Sequence, residues 1–321
     1  MHLTMQRLFA VVLVAIACRS TRHTAPPISV VEHYATTQDS VRLYYRVAGE
    51  GPETVIAPFA LYHESALDSL AVGRRIVTYD PRGRGRSDSV PANKVSLTHL
   101  LLDLETVRRA VGADSVALIG WSGGGMEMFV YALRNLGRVT RLVHLAPVAP
   151  RFVPYGGEMM RDRDQRTDTV ARAALRRRIA AGEFRNDPAA ECRASAVVNQ
   201  PAMFANPARM PATPDVCRFP NEHLTPLGAY FGALFQSIDG YDWRDSLSAV
   251  TIPRLVIHGA RDNIPLAGNE EWVTRQGNAR IVVMDSSGHW PHYEQPAATI
   301  GAIETFLRGQ WPANARSIGA R

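Results

Sequence analysis

A serine with glycine two residues away on either side is the first feature of this chain able to do chemistry: Gly120-Trp121-Ser122-Gly123-Gly124. It follows the apolar run at residues 116–119 and precedes a helical stretch, so the serine sits on a sharp strand-to-helix turn. Such a turn strains the serine backbone and packs it closely, which demands small neighbours at both flanking positions. The helix that begins there points amide donors toward a developing oxyanion. A serine hydroxyl is a weak nucleophile until a base takes its proton, and the base needs an acid to orient it. His289, in Asp285-Ser286-Ser287-Gly288-His289-Trp290-Pro291, lies just beyond the final apolar run, and Asp262, in His258-Gly259-Ala260-Arg261-Asp262, just beyond the preceding one. The expected chemistry is nucleophilic acyl transfer, with Ser122 as nucleophile, Asp262 as acid and His289 as base.

Those residues need a sheet to bring them together. Residues 41–47 alternate as a half-exposed strand, whereas residues 55–57, 76–79, 116–119 and 142–145 are short continuous apolar runs suited to the buried centre of a parallel sheet. Leu97, Leu100, Leu101, Leu104, Val107 and Val111 recur at helical spacing and stop at Gly112, a C-cap. A second helix after Ser122 buries Met126, Phe129, Val130 and Leu133. Strand, helix, strand in this order predicts right-handed crossovers and a doubly wound α/β sheet with its loops at the strands' C-terminal edge. The rhythm breaks over residues 147–248, which hold no buried-strand run and read as an inserted cap. It returns at residues 254–258 and 280–284 and closes with a helix near residues 297–307. The expected organisation is a core at residues 28–146 and 249–310, a cap at 147–248 and a tail at 311–321.

The ends and the composition set the context. Arg7 precedes an apolar run over residues 8–17 that ends in Ala15-Ile16-Ala17, a pattern that reads as an export signal at residues 1–17 and is too short to span a bilayer. Cys18 follows, and residues 14–18 also resemble a bacterial lipobox, so a lipid anchor at Cys18 and plain secretion both stay open; residues 18–27 are a tether. With Cys18 consumed, Cys192 and Cys217 remain as one possible disulfide in an oxidising compartment. The net charge of +6 is carried by arginine, since Lys94 is the only lysine, and it is spread along the chain. Its densest stretch, residues 161–178, alternates with Asp162, Asp164 and Asp168, which suits a solvated helix face and not a nucleic-acid groove. No cofactor or metal is expected: His63-Glu64 lacks a second histidine, and Gly83 and Gly85 do not complete a dinucleotide fingerprint.

At Ser122, Asp262 and His289 the sequence resembles the α/β-hydrolase superfamily. Tyr79-Asp80-Pro81-Arg82-Gly83-Arg84-Gly85-Arg86-Ser87-Asp88 is similar to the turn after the fourth strand in its proline iminopeptidase-like and esterase-like members. Gly288-His289-Trp290-Pro291-His292-Tyr293-Glu294-Gln295-Pro296 looks like the histidine loop of that branch. The resemblance spans about residues 28–308 outside the cap and implies the same three roles for Ser122, Asp262 and His289. Asp80 and Arg82 are expected to hold their turn together, His292 to pack or sit at the rim, and Asp245 or Asp239 to stand as alternative acids. The departure is at the oxyanion hole. Most members carry His-Gly after the third strand, and this chain reads Ala57-Pro58-Phe59-Ala60-Leu61. Phe59 or Ala60 is then expected to supply one backbone donor and Gly123 the other, because Pro58 has no N–H.

Serine in place of aspartate at the turn disfavours the dehalogenase and epoxide hydrolase branches, which need a carboxylate there. The reading is a hydrolase of small or medium carboxylic esters. Its first alternative is a proline iminopeptidase-like aminopeptidase acting on short peptides, which would want a cap carboxylate such as Glu158, Glu183, Glu191 or Glu222 for the substrate amino terminus. A further alternative is a non-catalytic binding protein on the same fold. Phe152, Tyr155, Phe204, Tyr230, Phe231, Phe235 and Trp243 suggest an apolar pocket under the cap or the packing of the cap itself.

Overall fold

In a computed structural model, residues 28–63, 65–274 and 277–319 are described. The expected leader, the tether and Cys18 lie outside the described residues. The continuous apolar runs become β3 (Glu53–Pro58), β4 (Arg74–Tyr79), β5 (Val116–Trp121) and β6 (Val139–Leu145), and, after the cap, β7 (Arg254–Gly259) and β8 (Ala279–Met284). Ahead of them stand β1 (Val30–Thr36) and β2 (Arg42–Ala48). The strand order among the described residues is β1-β2-β4-β3-β5-β6-β7-β8; β2 runs antiparallel to β1 and β4, and the other pairings are parallel. Two details depart from expectation. β1 is an edge strand with only Ala35 buried, so it carries no apolar signal. β2 is largely buried and not half-exposed, because strands flank it on both sides and its polar groups are satisfied locally: Tyr44 donates to Glu32 at 2.7 Å and Arg46 forks Asp68 at 2.6 and 2.9 Å.

Helices cover both faces. A short α1 (Ala60–His63) follows β3, and α2 (Leu97–Ala110) buries Leu97, Leu100, Leu101, Leu104 and Val107. Ser96 caps α2, accepting from the His99 amide at 3.3 Å, and Gly112 at φ +64° supplies the left-handed turn that ends it. α3 (Gly123–Arg134) starts directly after Ser122 and runs through the core. The cap carries α4 (Tyr155–Arg166), α5 (Thr169–Ala180), α6 (Pro188–Asn199), α7 (Pro220–Leu224) and α8 (Leu227–Gln236). Cys192 on α6 is bonded to Cys217, just ahead of α7, with Cα atoms 5.7 Å apart. The basic stretch is spent on ion pairs, Arg166 with Asp162 and Arg172 with Asp164, while Asp168 caps α5. The cap grips the core through buried polar groups: Arg84 pairs with Glu222 and donates to the Thr225 carbonyl at 2.6 Å, and Asn221 donates to the carbonyls of Gly85 and Ser87 at 3.2 and 2.6 Å. Neither Arg84 nor Glu222 could be buried at acceptable cost without the other. The second part of the core adds α9 (Leu266–Thr274), α10 (Pro291–Glu294) and α11 (Pro296–Leu307). After α11 the chain returns to β8, where Arg316 and Ile281 exchange backbone hydrogen bonds at 2.9 Å.

Candidate active site

β5 is buried along its whole length and delivers Ser122 at the C-terminal edge of the sheet. The serine takes φ 54° and ψ −125°, a conformation costly for a residue with a side chain and kept only where the surroundings enforce it. They do so by close packing on the elbow glycines and by a backbone hydrogen bond. A Cβ on Gly120 would overlap the Gly124 carbonyl, one on Gly125 would come within 2.6 Å of the Pro147 Cβ, and the Ser122 amide donates to the Leu145 carbonyl at 3.0 Å. The hydroxyl is held out of the buried core, and Ser122 remains partly exposed.

The base and acid leave the ends of β8 and β7. His289 Nε2 lies 2.9 Å from Ser122 Oγ, and His289 Nδ1 lies 3.1 Å from both carboxylate oxygens of Asp262. With the ring proton on Nδ1, facing the carboxylate, Nε2 is the acceptor for the serine hydroxyl. His289 and Asp262 are buried, at 3% and 8% exposure, which shields their contact from water. The carboxylate is fixed by the Ile264 amide, which donates to Asp262 Oδ1 at 3.0 Å. β7 and the histidine loop approach closely: a Cβ on Gly259 would overlap the Gly288 carbonyl, and the Arg261 amide donates to the Ser287 carbonyl at 2.8 Å. Trp121, the residue before the nucleophile, ties the loop to β5 by donating from Nε1 to the His289 carbonyl at 2.8 Å. Asp262 thus stands where an acid is needed, and neither Asp245 nor Asp239 bonds to His289. His292 packs inside, against His63, Trp121 and Tyr293, and burial pushes its pKa well below the ordinary 6.5.

The loop after β3 lies against the elbow. Phe59 takes φ +65°, and Pro58 comes within 3.2 Å of where a Cβ on Gly124 would stand. Gly123 and Ala60 are the first residues of α3 and α1, positions whose N–H groups have no acceptor inside their own helix. The Leu61 amide is already committed, donating to Asp80 Oδ1 at 2.8 Å. Asp80 also accepts from the Arg86 amide at 2.9 Å, and burial raises its pKa to about 6. It therefore shapes the donor loop as well as its own turn, a connection that the sequence did not disclose. Arg82 is turned away, forked onto Asp103 at 2.7 and 3.0 Å and onto Asp39 at 2.8 and 3.1 Å.

The cap closes over the nucleophile. The Phe231 ring comes within 2.9 Å of where a Cβ on Gly123 would stand, and its centroid is 6.1 Å from that of Phe59. Phe235 stacks beyond it at 6.0 Å and meets Phe152 at 6.5 Å. Of the other aromatics named from sequence, Tyr230 is buried edge-on to both Phe59 and Phe231, while Phe204 stacks on Trp290 and Tyr155 donates to Glu271. Of the four cap carboxylates, Glu222 is taken by Arg84 and Glu183 by Arg178. Among the described residues no group of three or more His, Cys, Asp or Glu could hold a metal ion.

With this geometry in hand, known proteins give a consistent comparison. Residues 59–296 match the family model described as alpha/beta hydrolase fold. The chain is 30% identical over 207 residues to a pimeloyl-[acyl-carrier protein] methyl ester esterase of Aromatoleum aromaticum, covering 61% of this chain and 75% of that protein. It is 24% identical over 292 residues to a proline iminopeptidase of Lactobacillus delbrueckii subsp. lactis, covering 83% and 95%. An esterase structure from Exiguobacterium antarcticum superposes with a TM-score of 0.63 over 87% of this chain and 100% of that one, at 19% identity. The chain therefore belongs to the alpha/beta hydrolase fold family and is a hydrolase.

Proposed function

We propose that the protein hydrolyses carboxylic esters through an acyl-enzyme on Ser122. The observation that carries this reading is the unbroken chain of contacts from Ser122 Oγ through His289 to Asp262. Ser122 Oγ attacks the ester carbonyl carbon while its proton passes to His289 Nε2, and the carbonyl oxygen becomes an oxyanion held by backbone amides. Gly123 supplies one donor, with Phe59 or Ala60 as the other. Collapse of the intermediate expels the alcohol, which leaves with the proton held on Nε2. Water then attacks the acyl-enzyme, gives a proton back through His289, and releases the carboxylic acid and the free serine. Asp262 orients the ring and stabilises the imidazolium.

An ester is favoured over a peptide amino terminus because two cap carboxylates are already neutralised by arginine and aromatic rings face the nucleophile. The Cys192–Cys217 bond supports an oxidising compartment and, with it, the reading of residues 1–17 as an export signal. The test is labelling by a fluorophosphonate probe together with turnover of p-nitrophenyl acyl esters and of prolyl and alanyl arylamides. The native protein is expected to label, Ser122→Ala to lose labelling and turnover by about 10⁵-fold or more, and esters to turn over faster than arylamides. A folded native protein that does not label would overturn the mechanism, and dominant arylamide turnover would replace the ester reading with the aminopeptidase one.

A further inference from the structure

We infer that Glu294 is a positioning residue that fastens the catalytic base to the cap, so that the insert is part of the support of the active site and not only its cover. The inference rests on His289 being the base, as proposed above.

The loop that carries His289 has two holds on cap residues. The first is direct: the His289 backbone amide donates to the Met203 carbonyl at 2.8 Å. The second runs through Glu294. One carboxylate oxygen accepts from the Gly288 amide at 2.7 Å and from Ser287 Oγ at 3.2 Å, and the other accepts from the Ala205 amide at 2.7 Å. A single carboxylate thus joins the residue before the base to the cap segment at residues 203–205. A carboxylate has acceptor lone pairs on both oxygens, so one side chain can hold both segments at once.

The two backbones also touch. A Cβ on Gly288 would stand 2.5 Å from the Met203 carbonyl oxygen and 2.8 Å from the Ala205 nitrogen, so a side chain at residue 288 would push the cap segment off the histidine loop. Phe204, between the two contacting residues, stacks on Trp290 at 6.0 Å with an interplanar angle of 3°. Residues 203–205 lie between Cys192 and Cys217, inside the loop that the disulfide closes. None of these groups touches a reacting atom. Their effect is on where the imidazole stands, and displacement of a reacting group by an ångström can cost about 10²-fold in rate.

The full chain is prepared as native protein and as Glu294→Ala, Glu294→Gln and Ala205→Pro, with kcat and KM on a p-nitrophenyl ester referred to sites titrated by fluorophosphonate, so that misfolded molecules are not counted. Proline at 205 removes the cap N–H and sets a ring on the nitrogen that Gly288 approaches, while Phe204 at φ −101° and ψ 152° already suits the residue before a proline. Glu294→Ala and Ala205→Pro are expected to lower kcat per titrated site by about 10- to 100-fold with KM changed by less than about two-fold. Glu294→Gln, which keeps one acceptor oxygen, is expected to fall between them and the native protein. Native kcat per titrated site in either Glu294→Ala or Ala205→Pro would overturn the inference. Should Glu294→Ala not fold, the other two variants decide by the same rule. A native protein that never labels would instead bring down the reading of Ser122 beneath it, a distinguishable result.

Discussion

Nucleophile and base meet 2.9 Å apart, yet they are held by different kinds of structure. Ser122 is locked by the core itself: glycine at 120 lets backbone pack on backbone, glycines at 124 and 125 admit the rings of Pro58 and Pro147, and Leu145 on the neighbouring strand fixes the serine amide. His289 is held partly from outside the core, by Met203 and by Glu294 with Ala205. The elbow cannot move without disturbing the sheet. The histidine loop can move if the cap does, which makes the base the adjustable half of the site.

The acid is the sharpest way to probe the base side. Asp262→Asn is expected to lower kcat by about 10³–10⁴-fold with little change in melting temperature, because the amide would favour the wrong imidazole tautomer. A loss below about ten-fold would move the acid role elsewhere, to Asp245 or Asp239.

Two glycine substitutions set the halves against each other. Gly120→Ala forces a Cβ onto the Gly124 carbonyl within the core and is expected to cost about 2–4 kcal/mol in urea unfolding. Gly288→Ala meets the backbone of residues 203–205, so it is expected to cost about 1 kcal/mol or less while lowering kcat by about ten-fold. The reverse pattern would break the comparison.

The effect smallest in turnover concerns pH and the core beneath the elbow. Glu127 on α3 is buried beside Tyr79 and Tyr230 without a cation in contact, and burial raises its pKa from 4.5 to about 8. Between those values the folded protein keeps a proton that the unfolded chain releases, so stability falls as pH rises, by at most about 1.4 kcal/mol per unit. His63 acts in the opposite sense: burial lowers its pKa from 6.5 to about 4, so stability falls as pH drops through that window. Glu127→Gln is expected to remove the alkaline decline in urea midpoints between pH 6 and 8, above the range of Asp80, and to leave kcat unchanged. An unaltered slope would show that this carboxyl does not carry it.

Much of the core was legible. The strands that became β3 to β8 announce themselves because a buried parallel strand is continuously apolar, and α2 because its leucines recur at helical spacing and Gly112 ends it. β1 was not legible, since an exposed edge strand has no apolar pattern to show. The cap could be recognised only as an interruption; its helices bury little, Leu175 being the one buried residue of α5, so their sequence carries weak periodicity.

At the site the division has a physical cause. The residue types and short spacings around Ser122, Asp262 and His289 could be read directly, because a strained turn, a nucleophile and its proton acceptor each admit few side chains. Their meeting at hydrogen-bond distance, the commitment of Asp80 to the Leu61 amide, the pairing of Cys192 with Cys217 and the bridge from Glu294 to Ala205 were decided only by the tertiary structure. Each of these joins groups far apart in the chain. A contact of that kind leaves no periodic trace, since which acceptor a given N–H finds depends on how whole elements pack and not on its neighbours in sequence.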